Sequence, residues 1–304
     1  MKITINGSGQ LGRPTIDGLV QHIVQAEADG FPTYWLAQAG LVEALSVFVA
    51  AAHQTTRIEL GTAVVPTFQR HPTTLAGQAL TAQAATNGRI ALGIGLSHQP
   101  VIEDRLALRF ERPVRHLVDY LDILQPLLTE GAADHHGDIW TAVAQSARPT
   151  DVAPPVLVAA LGPQTLKVCG QRTDGTVLWL VGPKTIANHI APRLHEAAES
   201  ANRPTPRIVC SLPVVVTNDP VKARERAARA FRSYYDLPSY RAMLDREGVS
   251  GAEDVAVIGS EASVTEQLAA LFEAGATEFS ALEFGANPDD AARTRELLKS
   301  LNDS

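Results

Sequence analysis

Short runs of aliphatic and β-branched residues alternate along this chain with longer stretches whose apolar positions return every three or four residues, the pattern of strands each followed by an amphipathic helix. The strand-like runs are Lys2–Asn6, Thr33–Ala37, Ile58–Val65, Ile90–Gly95, Pro155–Ala159, Gly175–Leu180, Ile208–Val216 and Glu278–Glu283. Helical spacing or composition covers Ile16–Ala28, Leu41–Gln54, Thr73–Ala85, His116–Leu128, Gln164–Cys169, Thr185–Ser200, Val221–Tyr234 and Val264–Ala274. Pro72 stands at a first-turn position, and Asp29-Gly30 and Ala274-Gly275 supply C-terminal stops. Strict alternation makes neighbouring strands parallel, and eight such units are the number that closes a parallel sheet on itself. The expected architecture is an α/β protein, a (β/α)8 TIM barrel occupying residues 1–304 as one domain.

Two stretches break the rhythm, Gly131–Pro154 and Asp236–Gly259, both rich in turn formers. They are expected to be insertions after the fourth and seventh βα units. Because loops that follow strands face the active-site end of a barrel, both are expected near the ligand, the second especially. No internal repeat or linker divides the chain.

Composition narrows the partners. With 45% hydrophobic residues the chain can bury a full core. Its formal charge of −7 argues against nucleic acid or an anionic membrane, both held by excess Lys and Arg, so the expected partner is a small molecule. Cys169 and Cys210 are too far apart for a metal or redox motif, which fits a reducing compartment. Met1–Ile5 reads directly as a strand, and no apolar window approaches a membrane span. A cytoplasmic protein is expected.

Gly7-Ser8-Gly9-Gln10-Leu11-Gly12 matches the dinucleotide-binding fingerprint after a first strand. That fold needs the glycine turn to open a helix onto the pyrophosphate, and here Arg13-Pro14 intervene, Pro14 lacking an N–H. The second strand ends Trp35-Leu36-Ala37-Gln38, without the acid that would hold a ribose. A flexible loop at a strand end is the better reading, and Gly93-Ile94-Gly95-Leu96-Ser97 is a second such end.

Leu60-Gly61-Thr62-Ala63-Val64-Val65-Pro66, Arg70-His71-Pro72 and Ala76-Gly77-Gln78-Ala79, followed by Asn87-Gly88-Arg89-Ile90-Ala91-Leu92-Gly93-Ile94-Gly95, Pro155 through Pro163 and Arg172-Thr173-Asp174-Gly175, carry a resemblance over nearly the whole chain. In this order and spacing the chain resembles the luciferase-like monooxygenase superfamily, especially its coenzyme F-420-dependent oxidoreductase branch. The resemblance implies a TIM barrel with the cofactor ring at its C-terminal mouth. It also implies a non-proline cis peptide at Ala63–Val64 beneath the ring, and a tail site on Ala159, Ala160, Leu161, Gly162 and Pro163, where a helix N-terminus suits a phosphate. Leu96, Ser97 and His98 at the fourth strand's end are expected to face the same cofactor.

His98 is the titratable group best placed for proton exchange near neutrality. Gln38, the second catalytic candidate, stands where some relatives carry part of an Asp-His pair, a departure that separates this chain from a shared acid/base scheme. His71 reads as a helix-entry residue, His135 and His136 as decoration of the first insertion, and Trp179 and Glu283 as strand-end residues of either packing or pocket. No metal constellation is expected. The function implied is hydride transfer between coenzyme F-420 and a small organic substrate, in a homodimer. The alternatives are an FMN-dependent monooxygenase and a non-catalytic flavin- or deazaflavin-binding protein.

Overall fold

Strands β1 (Ile3–Asn6), β2 (Thr33–Leu36), β3 (Glu59–Thr62), β5 (Ile90–Gly95), β8 (Val156–Val158), β9 (Gly175–Trp179), β10 (Arg207–Val216) and β12 (Glu278–Glu283) pair in parallel in that order, and β12 returns to β1 in a computed structural model that describes residues 1–302. The ring is the eight-stranded barrel expected. These strands are almost continuously buried, since one face meets the barrel interior and the other the helices; that is why they read as unbroken apolar runs. The helices are α1 (Ile16–Ala28), α2 (Ala44–Ala51), α3 (Pro72–Ala85), α4 (Pro113–Thr129), α5 (Pro163–Arg172), α6 (Pro183–Thr185), α7 (Ala191–Ser200), α8 (Pro220–Ala230), α9 (Pro238–Glu247), α10 (Ala252–Val255), α11 (Glu261–Glu273) and α12 (Pro288–Asn302). Among the described residues no helix is long and apolar enough to cross a membrane.

Inside the ring, Trp35, Ala91, Leu157, Val177 and Val209 fill one layer. Gly61 must be glycine, because a Cβ there would lie 2.3 Å from the Trp35 ring. Arg207 lies beneath, its guanidinium 5.5 Å from the Trp35 ring centre. It bonds Glu278 (Nε to Oε1, 2.7 Å) and Glu59 (Nη2 to Oε2, 2.7 Å). These three charged residues open β10, β12 and β3 and form the barrel floor.

The third strand departs from the expected Ile58–Val65. It stops at Thr62 and resumes as β4 (Val65–Pro66), with a cis peptide between Ala63 and Val64. The Thr62 hydroxyl accepts from Gly93 N (2.8 Å) and donates to Gly93 O (2.7 Å), so a side chain satisfies the neighbouring backbone where the ladder ends.

Both interruptions contain structure. After α4 the chain forms an antiparallel hairpin, β6 (Ala132–His136) with β7 (Thr141–Gln145). It follows a helix, not a strand, so its base lies at the N-terminal end of the barrel, with Ser146 N bonded to Gly131 O at 2.9 Å. The expectation that it emerges at the active-site end is corrected accordingly. Its tip runs back along α4, where Ile139 N donates to Asp119 Oδ2 at 2.8 Å. The second interruption holds α9, α10 and β11 (Val257–Gly259), which extends β10 outside the ring. The last helix, α12, lies beyond the sequence expectation; Thr294 Oγ1 accepts from Val216 N at 2.8 Å.

Beside the hairpin tip, His116 is buried, stacked on Phe68 and 2.9 Å from Thr67 Oγ1. Burial pushes its pKa down to about 4 against an ordinary 6.5, Asp119 opposing only in part. The unfolded chain therefore takes up a proton that the native chain refuses, so stability is full above about pH 6.5 and falls as pH drops toward 4. Urea midpoints across this window should fall for the wild type and fall less for His116→Gln; parallel curves would refute the assignment.

Candidate active site

The C-terminal rim of the barrel is shaped first by what is absent from it. A Cβ at Gly95 would stand 2.6 Å from Val64 Cγ2, and one at Gly93 would stand 2.0 Å from Thr62 O. These two glycines of β5 let the Ala63–Val64 step bulge over the barrel interior, where both residues pack partly buried above the Trp35 layer. Beyond β5 the chain turns sharply at Ser97, whose φ is +59°, flanked by Leu96 and His98.

The His98 ring lies edge-on to Tyr240 (centroids 5.5 Å apart) and Tyr234 (6.3 Å). Burial holds its pKa below the ordinary value, so the imidazole is neutral at pH 7, able to accept a proton at one nitrogen and donate at the other. Tyr234 is also 6.3 Å from Trp179, at the end of β9. Since β8 lies between β5 and β9, the two tyrosines bridge the rim above Ala159–Leu161. Sequence reading missed both tyrosines.

The loop from β8 into α5 is fixed by Ala159 N bonding Ile94 O at 2.8 Å. Gly162 caps α5 without a side-chain partner for the first-turn N–H groups. The neighbouring α6 differs, because its Lys184 and Thr185 N–H groups donate to the Glu247 carboxylate at 3.1 and 2.8 Å. One helix start is thus filled by the protein itself and the other is left open to an anion. His189, nearly fully buried, places Nε2 2.8 Å from Leu161 O. It was not among the sequence candidates, since one histidine within a helical stretch carries no distinguishing pattern.

Gln38 is engaged elsewhere on the rim. Its amide, oriented by its neighbours, donates to Glu43 Oε1 (3.1 Å) and accepts from Arg70 Nη2 (3.0 Å), and no contact joins it to His98. The Gly7–Gly12 segment forms a tight 3-10 turn, and Ser8 Oγ accepts from Ala37 N at 2.9 Å. Just below, Asn6 Nδ2 donates to Ser211 Oγ and Ser211 Oγ to Ser280 O, each at 2.8 Å. Glu283 turns away to Arg295 at 2.7 Å. His71 caps α3, accepting from Thr73 N, as its place before Pro72 suggested.

His135 departs from the expected surface decoration, lying 3.6 Å from the buried Asp119 carboxylate. Asp119, Asp122 and His135 come within metal-binding reach of one another, but Arg115 meets Asp119 at 2.9 Å and Arg172 pairs with Asp122, so the acids are already neutralised.

The luciferase-like monooxygenase family model matches residues 2–278. The coenzyme F-420-dependent glucose-6-phosphate dehydrogenase of Amycolatopsis mediterranei is 24% identical over 263 residues, spanning 82% of this chain and 78% of that protein. Among solved structures, the coenzyme F-420-dependent tetrahydromethanopterin reductase of Methanopyrus kandleri superposes with a TM-score of 0.81 at 19% identity, covering 98% and 97% of the two chains. The oxygenating constituent of 3,6-diketocamphane monooxygenase from Pseudomonas putida, in complex with FMN, gives 0.78 at 19% identity over 99% and 96%. The eight-stranded barrel, its glycine-lined bulge and the family match together establish that this chain is a member of the luciferase-like monooxygenase family.

Proposed function

We propose that this protein is an oxidoreductase that holds coenzyme F-420 at the barrel mouth for hydride transfer to or from a small organic substrate. The observation that carries the proposal is the pairing of a cradle with an open anion seat. Gly93 and Gly95 make room for the Thr62 carbonyl and the Val64 side chain, so that the Ala63–Val64 step stands over the barrel interior as a platform for a flat ring, and the uncapped start of α5 stands beside it on the rim. Ala63, Val64, Leu96, Ser97 and His98 would line the ring, and Ala159, Ala160, Leu161, Gly162 and Pro163 the phosphate-bearing tail. When bound, the deazaflavin supplies the hydride acceptor or donor.

The chain's own residues supply the rest. The Ala63–Val64 bulge and the turn at Ser97 orient the ring, while Tyr234 and Tyr240 exclude water above it. Neutral His98 exchanges the substrate proton that accompanies hydride movement. Gln38, held by Glu43 and Arg70, positions the rim and carries no proton in this scheme. Anaerobic mixing of the loaded protein with a panel of alcohols and unsaturated ketones tests the assignment. A change in the deazaflavin absorbance is expected with at least one substrate, and inertness across the panel would favour a binding protein without turnover.

An FMN monooxygenase is the second reading, supported by the FMN-bound neighbour; oxygen consumption dependent on reduced FMN would select it. His189 is placed to hold the tail loop through Leu161. His189→Ala should weaken cofactor binding about tenfold, with His189→Gln recovering part of it through an amide hydrogen bond. Equal affinity in all three proteins would remove His189 from the account. A homodimer completes the proposal. The groove of about 540 Å³ between α2 and α3, where Leu45, Val49 and Gly77 are interleaved with Ser46, Thr73, Gln78 and Thr81, with the exposed Leu41 just ahead of α2, offers a mixed polar and apolar surface for a second copy. Light scattering showing only monomer at micromolar concentration would contradict it.

A further inference from the structure

The strand ends that form the rim of this barrel carry no basic residue. The four residues following each ring strand are Gly7–Gln10, Ala37–Gly40, Ala63–Pro66, Leu96–Gln99, Ala159–Gly162, Leu180–Pro183, Thr217–Pro220 and Phe284–Asn287, and none of them is Lys or Arg. Asp219 is the one acid among them, and it is occupied as the cap of α8, bonded to Lys222. Nearby cations are likewise engaged or solvated. Arg70 meets Glu43 at 3.3 Å, Arg226 donates to Phe284 O and lies 4.3 Å from its ring centre, Arg232 stands 5.3 Å from the Tyr235 ring, and Arg13 and Lys184 are exposed.

Across this rim stands an aromatic wall. Trp179 meets Phe231 at 5.5 Å and Tyr234 at 6.3 Å, Tyr234 meets Tyr240 at 4.9 Å, and Tyr240 meets His98 at 5.5 Å, all edge to face. The indole Nε1 of Trp179 is buried with the Tyr234 hydroxyl beside it, so the polar end of the indole is held within the wall. Burying a phosphate or carboxylate against such a wall, with no cation to meet it, costs several kilocalories per mole, whereas a flat neutral molecule gains from the ring faces and edges.

We propose that the barrel mouth beside the wall of Trp179, Tyr234, Tyr240 and His98 takes a neutral, apolar, planar molecule bearing a carbonyl-type acceptor for the His98 imidazole, and discriminates against phosphorylated or carboxylated substrates. This substrate class rests on the reading of the barrel mouth as the site of hydride transfer. Here the dehydrogenase relative's phosphorylated sugar is a poor guide to the substrate, despite the shared fold.

Isothermal titration with trans-cinnamamide and trans-cinnamate, which share a shape and differ in charge, tests the proposal on the protein with and without coenzyme F-420. The amide should bind at least about tenfold more tightly than the carboxylate, and glucose 6-phosphate should bind more weakly than the amide. Trp179→Leu and Tyr234→Leu, each checked for native circular dichroism, should each weaken the amide three- to tenfold; Tyr234 is half-buried, so it guards against a Trp179 variant that fails to fold. Equal or reversed preference, binding of neither compound, or indifference to both substitutions would overturn the proposal. A parallel titration with coenzyme F-420 separates the two claims. Cofactor binding with a preference for anions sinks the substrate class alone, and amide preference without cofactor binding sinks the cofactor reading alone.

Discussion

Gly162→Asp should lower the affinity of this chain for coenzyme F-420 by about 30- to 1,000-fold. The substitution puts a carboxylate at the cap of α5, the helix start that no side chain of the protein fills. A cofactor phosphate seated there would meet a like charge at roughly 4 Å, worth about 2–4 kcal/mol at an effective dielectric near 20 or somewhat above, and each 1.4 kcal/mol is about tenfold. The fold should be unharmed, because a Cβ at Gly162 meets nothing closer than Thr165 Oγ1 at 3.6 Å and Asp is a favoured helix cap. Gly162→Ala, which adds bulk without charge, should cost far less. Fluorescence quenching by the cofactor measures all three proteins, and equal affinities would move the tail away from α5.

Arg207→Met should destabilise the folded chain by about 3–5 kcal/mol at pH 7, the usual cost of stranding buried carboxylates without their partner. The floor would keep the buried Glu278, left with Lys2 at 3.1 Å, and the partly buried Glu59. Burial alone would raise the Glu59 pKa, but Arg207 holds it below the usual carboxylate range. In the wild type, this group therefore contributes stability that is present above its unfolded pKa near 4.5 and lost as pH falls through the lower folded value. The variant reverses the sign: without the guanidinium, burial is left to raise the Glu59 pKa, so its deficit should shrink between pH 7 and pH 5. Urea unfolding at both values measures this. A deficit below about 1 kcal/mol, or one independent of pH, would mean that the floor is held by the Trp35 layer instead.

The barrel was legible because a strand buried on both faces must be apolar along its length, and each such run is followed by a helix with one apolar stripe. What escaped was whatever hides inside a favourable pattern. Ala63-Val64-Val65 continues an apolar run, so the periodicity hid the break at Thr62, held by the Thr62–Gly93 exchange of hydrogen bonds, whereas the resemblance had placed the cis peptide at Ala63–Val64 where the structure has it. The hairpin's Ala-Asp-His-His sequence alternates too weakly in polarity to announce strands; it is held by the Asp119 contact and its own ladder. In α9, charged residues dilute the spacing of Tyr240, Met243 and Leu244 that seats it on the barrel.

The candidate site divides along the same line. Glycines and helix starts are visible in sequence, and the structure gathers Ala63, Val64, Leu96–His98 and Ala159–Pro163 on one rim. Tyr234, Tyr240 and His189 reach that rim from distant segments, through ring contacts and one hydrogen bond to Leu161 that no local pattern encodes. Gln38, chosen for its position at a strand end, proves to be committed to Glu43 and Arg70. Position along a strand tells which side chains come near the mouth, whereas their partners decide which are free to act there.

Parallel fluorescence titrations of the purified protein with coenzyme F-420 and with FMN test the central claim most directly. The account predicts saturable binding of coenzyme F-420, one per chain and tighter than FMN, with the affinity lost in Gly162→Asp. Binding of neither cofactor, or a preference for FMN unaffected by Gly162→Asp, would contradict it.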